Sequence, residues 1–254
     1  KALEILQECL ALSKKYDEKH EEYEIYLSML KVYIEKGDYD KAFKVLDAAK
    51  ILIENSQADY DKWDYYLTLG KIYALKNDSE KALDAVEKAS QYIDSPNESH
   101  RYLTVYNHYT ICYNNLVQFK KAFQFGFKAL ELAKETNTLW MEGKIWHNIA
   151  CGHRELGLYK KALEYYDNSM KICEKINDYG WVTNSLLDVG DIYHFQGNYI
   201  KAETTFERSL NLSKDLGKSD INIAYSLYGL GKVYYELQLI TESKEYLSEA
   251  KKIL

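Results

Sequence analysis

The sequence predicts an all-α fold, a right-handed superhelical solenoid of tandem helix–turn–helix repeats, on three observations. First, small residues at Ala2, Ala42, Ala82, Ala122, Ala162 and Ala202 recur every 40 residues, with Ser243 in the next place after 41. Second, a companion small residue stands twelve positions upstream, at Gly70, Thr110, Ala150, Gly190 and Gly231, with Leu30 as the exception. An aromatic or His follows three positions on, at Tyr33, Tyr73, Tyr113, His153, Tyr193 and Tyr234. Third, one Pro and 12 Gly against 25 Tyr and 46% apolar residues favour long helices and leave little room for β-turn chemistry.

The unit is clearest at 145–170. Trp146, Ile149, Ala150 and His153 recur at three- and four-residue steps on one helix, and Ala162, Tyr165, Tyr166 and Ser169 do so on the next. The two meet at Gly157, and one stripe of each is buried against the other. In chain order, residues 1–16 read as the second helix of a truncated repeat whose first helix is missing or disordered. An acidic connection follows from Asp17, a solvated stretch rather than a docking site. Repeats are expected at 23–53, 63–93, 103–132, 143–176, 183–212 and 224–254. Gly37 and Asn77 sit where a helix C-terminus wants a left-handed residue. Asp94 to His100 holds the only Pro, Pro96, which stops one helix while Ser95 or Asn97 caps the next. Asn177 to Gly180 and Leu216 to Lys218 form tight joints. A solenoid is one continuous stack, so residues 1–254 read as a single domain. Both edges look cut, as expected for the repeat region of a longer protein with an effector domain elsewhere.

Net charge is −6 and the pI about 5.6, which argues against nucleic-acid binding by this segment. The cations are nearly all Lys, with Arg101, Arg154 and Arg208 the exceptions. Such use of Lys, Ile, Asn and Tyr fits an AT-rich genome, such as that of a low-GC bacterium. Cys9, Cys112, Cys151 and Cys173 lie far apart, without Cys-x-x-Cys spacing, as buried free thiols of a reducing compartment do. Residues 1–254 hold no basic stretch followed by an apolar core and no apolar run long enough for a bilayer, so a cytoplasmic protein without membrane contact is expected.

The paired small residues, the Tyr and the Ala-x-x-x-aromatic pattern resemble the tetratricopeptide-repeat family, with longer helices than its usual repeats. The resemblance covers the whole chain. Its departures are Leu30, Gly126 and Ser243, with Phe123, Phe125 and Phe127 available to refill the volume that Gly126 leaves. In such a stack the first helices line the concave surface. Positions one step beyond the buried stripe then face the groove: Asn107 and Asn114 in the third repeat, His147, Asn148 and Arg154 in the fourth, and Asn184, Asp188 and Asp191 in the fifth. These eight are the expected peptide-binding residues. Leu27, Lys31, Leu67 and Lys71 take the same places in the first two repeats, and Tyr225, Tyr228 and Lys232 in the sixth.

Amides at the centre offer a donor and acceptors suited to an extended peptide backbone. With neighbouring helices ~10 Å apart and ~3.3 Å per extended residue, three polar repeats suit a ligand of roughly six to nine residues. Arg154 either forks a carboxylate of the ligand or pairs within the chain, with Glu155 or a carboxylate of the next repeat. His147 with Cys151, and Asp188 and Asp191 with His194, are fragments of the kind that catalytic or metal sites use. Further Cys/His spacing and a Gly-rich phosphate loop are missing, so no enzyme, metal or cofactor is expected. His153 stands in the place of the usual Tyr and is expected to be packed and hydrogen-bonded.

A narrower likeness lies at 146–152. Trp-His-Asn-Ile-Ala-Cys-Gly resembles the Tyr-Asn-Ile-Gly segment of the bacterial Rap, NprR and PlcR group, cytosolic receptors for short signalling peptides. That resemblance implies a backbone clamp at Asn148. It implies a non-catalytic scaffold that binds a short peptide, or an extended segment of a partner protein, to regulate a linked output domain or transcription. The same segment recurs in bacterial sensory regions joined to kinases or diguanylate cyclases. The alternative is an adaptor for a larger protein partner, and a homodimer through the terminal repeats is compatible with either.

Overall fold

The computed structural model describes residues 2–54, 59–93, 95, 98–217 and 220–253, all helical or in short connections. The described helices are α1 (Ala2–Tyr16), α2 (Lys19–Glu35), α3 (Tyr39–Glu54), α4 (Asp59–Leu75), α5 (Ser79–Ser90) and α6 (Ser99–Asn115). There follow α7 (Phe119–Glu135), α8 (Leu139–Glu155), α9 (Tyr159–Lys175), α10 (Tyr179–Phe195), α11 (Tyr199–Leu216), α12 (Asp220–Glu236) and α13 (Ile240–Ile253). Most of the pairs begin about four residues earlier than the hydrophobic stripe suggests, because the first turn of each helix precedes its first buried residue. Pro96, Asn97 and Lys218 lie outside the described residues. The cap of α6 is Glu98, which makes no side-chain capping bond, rather than Ser95.

Most connections share one device. A residue in the left-handed region ends the helix, at Gly37, Asn77, Val117, Asn137, Gly157, Asn177, Gly197, Gly217 and Gln238. At eight of these nine, the N–H of the residue that follows bonds to the carbonyl five positions back, as in Asp38 to the Tyr33 carbonyl at 2.9 Å and Leu158 to that of His153 at 2.9 Å. This is the Schellman closure. Helices of 17 residues joined by three-residue connections generate the 40-residue period.

The chain divides into two compact units, Lys1–Gln118 and Phe119–Leu254. In the first, Leu30, Leu46, Ala42, Ala49 and Ile72 form the core, and Leu3, Leu6 and Leu10 of α1 pack half-buried against it. Ala2, the first of the small-residue positions, is exposed. In the second, Ala150, Ala162, Tyr166 and Ile192 pack together, and Phe206 anchors Leu227, Leu230 and Val233. Burying a side chain of this size contributes about 1.5–3 kcal/mol.

The small-residue positions do what the period implies. Ala42, Ala82, Ala122, Ala162 and Ala202 are fully buried, and Ser243 Oγ donates to the Gly231 carbonyl at 2.8 Å, satisfying the hydroxyl that replaces a methyl. His153 is buried; its Nδ1 lies 2.9 Å from the Ile149 carbonyl, and its ring stacks on Phe123 at 4.2 Å. Phe127 does not refill the space beside Gly126: it is exposed, and its ring lies nearly perpendicular to that of Tyr165.

Candidate ligand-binding site

The second unit carries a pocket of about 530 Å³ on the inner faces of α8, α10 and α12. Every lining residue but Phe206 of α11 comes from these first helices of their pairs. Six of the eight expected residues meet there: His147, Asn148 and Arg154 from α8, and Asn184, Asp188 and Asp191 from α10. Asn107 and Asn114 lie on α6 of the first unit, the former buried and the latter half-buried. The polar cluster is thus built from the fourth to sixth pairs, with α12 as its third wall.

Helical spacing explains the convergence. Residues three or four apart share a face, so His147 and Arg154 stand two turns apart on α8, while Asn184, Asp188 and Asp191 step along α10. Trp181 and Asn222 extend these rows one turn toward the helix N-termini. Neither was among the expected groove residues; both follow from carrying the same spacing one step further back. Asn148 lines the pocket while exposing only 8% of its surface, so it sits deep in the wall. Tyr225 and Tyr228 are about half exposed and form an aromatic rim.

The charges are paired within the protein. Arg154 Nη1 donates to Asp188 Oδ1, and its Nε and Nη2 grip Glu155 Oε1 at 3.2 and 2.8 Å. Of the two roles open to Arg154, the in-chain pair is the one observed, and it uses both Glu155 and a carboxylate of the next repeat. Lys232 Nζ bonds Asp191 Oδ1 at 2.7 Å and lies 5.1 Å from the Tyr228 ring. Asn222 Nδ2 donates to Asn184 Oδ1 at 3.0 Å and to Thr183 Oγ1 at 3.0 Å. A guest therefore meets a wall of amides and aromatic rings with balanced charge, which suits a polar but largely uncharged chain segment.

Behind this wall, Cys151 Sγ faces Asp188 Oδ2 at 3.8 Å, and the Tyr166 hydroxyl donates to Cys151 Sγ at 3.3 Å. His147 Nε2 lies 3.5 Å from Asp188 Oδ2, its Nδ1 is 3.0 Å from Ser185 Oγ, and its ring meets Trp181 edge-on at 5.1 Å. Burial, reinforced by the Asp188 charge, pushes the Cys151 thiol up to about 12. Burial also lowers His147, against the opposing pull of Asp188. A protonated thiol beside a neutral imidazole is not an activated nucleophile, whose thiol needs a lowered pKa. Asp191 and His194 do not join this group. Both His194 ring nitrogens are buried without a hydrogen-bond partner among the described residues, and the ring packs against Phe195 and Tyr199.

Comparison with known proteins agrees with this architecture. Models described as "Tetratricopeptide repeat" match residues 23–50, 64–93, 142–215 and 182–254, about two thirds of the chain. The 43 kDa receptor-associated protein of the synapse from Tetronarce californica is 27% identical over 125 residues, spanning 48% of this chain and 30% of that protein's length. Among solved structures, a Rap protein complexed with competence and sporulation factor superposes with a TM-score of 0.75 at 14% identity, covering 92% of this chain and 74% of the other. NprR in complex with its cognate peptide NprX gives 0.67 at 18% identity, covering 98% and 77%. At those identities the likeness is one of fold. No described helix is long and apolar enough to cross a membrane. The repeat matches, joined to the 40-residue spacing of buried small residues, place the chain in the tetratricopeptide-repeat family.

Proposed function

We propose that this chain is a non-catalytic receptor that holds a short extended peptide, or an extended segment of a partner protein, against the inner faces of α8, α10 and α12, and so regulates a linked output domain or partner. The observation that carries the reading is the pocket wall itself: amides at Asn148, Asn184 and Asn222 on three successive first helices, rimmed by Trp181, Tyr225 and Tyr228. Amides recognise a peptide backbone without regard to side-chain charge, and aromatic rims supply apolar area at low entropic cost. Three helices ~10 Å apart span about six extended residues. The two peptide- or factor-bound structures that this fold resembles support the reading. A bacterial signalling role in the cytoplasm belongs to the same proposal.

The test is a peptide array graded by length, read with the wild type, Asn148→Ala and Tyr228→Ala. Retention should peak near six to nine residues, and each variant should weaken binding by about 1–3 kcal/mol. Tyr228 stands on the exposed rim, so its loss leaves folding intact even if Asn148→Ala lowers stability. Binding that is equal in all three proteins, or no retained peptide of any length, refutes the proposal. The half-exposed Tyr225 and Tyr228 with Tyr235, 62% exposed, also fit an adaptor surface. That alternative needs an interface above ~1,000 Å² and a folded partner rather than a peptide.

A further inference from the structure

The peptide pocket leaves one constellation unused. His147 and Cys151 stand one turn apart on α8, and Asp188 reaches them from α10 of the next pair. One ligand atom from each lies within 4.8 Å of the other two. The Asp188 Oδ2 separations of 3.5 Å to His147 Nε2 and 3.8 Å to Cys151 Sγ are close to the edges of a tetrahedron built on ~2.0–2.3 Å metal–ligand bonds.

The outer partners are also in place. A metal-binding His is usually fixed through its other ring nitrogen, and a ligating carboxylate through its other oxygen. Here His147 Nδ1 is held by Ser185 Oγ at 3.0 Å, Asp188 Oδ1 by Arg154, and Cys151 Sγ receives the Tyr166 hydroxyl at 3.3 Å. Each ligand thus keeps one atom for the shared centre and has that atom aimed by a second bond. Charge closes as well. With Cys151 as thiolate, the set Cys151, Asp188, Glu155 and Arg154 carries three negative charges and one positive, and a divalent ion brings the group to neutrality.

We propose that His147, Cys151 and Asp188 form a three-ligand site for a zinc-like divalent ion, its fourth position opening toward the pocket that His147 and Asp188 also line. One sulfur, one nitrogen and one oxygen donor in a tetrahedral set select zinc or its surrogate cobalt over magnesium or calcium. Binding breaks the Cys151 S–H bond, forms a metal–sulfur bond and releases one proton to solvent. No electron is exchanged. The site links α8 to α10 and stands independently of whether a peptide binds.

The probe is cobalt(II) added to the full chain, followed by displacement with zinc(II). One equivalent of cobalt should produce a thiolate-to-cobalt charge-transfer band, and zinc should abolish it. Cys151→Ser should remove the band, Asp188→Asn and His147→Gln should each weaken cobalt binding at least tenfold, and Ser185→Ala should weaken it about 10–100-fold through the ring it orients. Cys9→Ser, which alters the exposed cysteine, should leave the band unchanged. Zinc titration in two buffers of different ionisation enthalpy should report one proton released. Far-UV circular dichroism checks that each variant is folded, and the near-isosteric Asp188→Asn keeps the test open if Cys151→Ser is not. No band in the wild type, or a band untouched by both Cys151→Ser and Asp188→Asn, overturns the proposal and leaves the cluster as a hydrogen-bond network alone.

Discussion

Replacing Gly190 by Ala tests the packing that builds the pocket floor. The added carbon would lie 2.6 Å from Phe206 Cε1 and 2.8 Å from Cδ1 and Cζ, where carbon atoms rest at ~3.5–4.0 Å. A carbon on Gly229 would lie 2.5, 2.6 and 2.7 Å from the same three atoms. Such distances to three consecutive ring carbons put each glycine over a face of the ring, and since two backbones cannot share one place, over opposite faces. Phe206 is clamped between α10 and α12 and cannot retreat from either. Overpacking of this kind costs about 1–3 kcal/mol, and the better helix propensity of Ala returns about 0.8–1. With both ring faces blocked the cost falls in the upper part of that range, about 2–3 kcal/mol, so the net expectation is a loss of about 1–2 kcal/mol. Gly180→Ala, in the first turn of the same helix, meets nothing nearer than Asp178 Oδ1 at 3.7 Å and should gain up to about 1 kcal/mol. Urea unfolding followed by circular dichroism reads both as shifts in midpoint at constant slope. A Gly190→Ala protein as stable as the wild type would refute the clamp.

Two further outcomes follow from backbone strain and buried charge. Val117 ends α6 at φ +59°, a region hostile to a β-branched residue, and its side chain is exposed. Val117→Gly should therefore raise the urea midpoint, with about 0.5–1 kcal/mol left after the chain entropy of Gly is subtracted from the strain relieved. His194 has its pKa lowered by burial and by Lys232, so the folded protein resists the proton that the unfolded chain accepts. Its contribution to stability is present above the ordinary histidine value and is lost as pH falls below about 6.5 toward the lowered folded value. The wild type should lose midpoint more steeply over that interval than His194→Phe, and parallel slopes would show that His194 titrates normally.

Much of this molecule was legible because a repeat prints its packing six times over. Ala162 and its equivalents, the left-handed Gly37 and Asn77, and the buried His153 all follow from period, size and turn chemistry. Val117 and Gln238 take the same left-handed place without any local signal, because the neighbouring helix pair fixes the joint whatever side chain occupies it. The pocket was legible by face rather than by depth. Helical spacing puts Asn148 and Asp188 on one wall, but how far each sinks into it depends on the width of Trp181 and Phe206, which no periodicity encodes.

Beyond a carboxylate of the next repeat for Arg154, the residue-by-residue reading did not say which side chains pair between repeats, and the structure gives a rule for it. Ser185 meets His147 38 residues away, Asp188 meets Cys151 at 37 and Arg154 at 34, Asn222 meets Asn184 at 38, and Lys232 meets Asp191 at 41. A period of 40 residues, 41 in its last step, sets adjacent first helices side by side, and long side chains lean by up to about two turns along the axis, so inner-wall partners fall in a narrow band below or at the period. Under that rule Arg154 has an acid, Asp188, waiting in the next repeat, and Cys151 has the same one. Two neighbours of opposite chemistry thus share a single carboxylate, one oxygen each. That division allows the same side chain to belong to the charge-balanced wall of the pocket and to the nitrogen–sulfur–oxygen centre behind it.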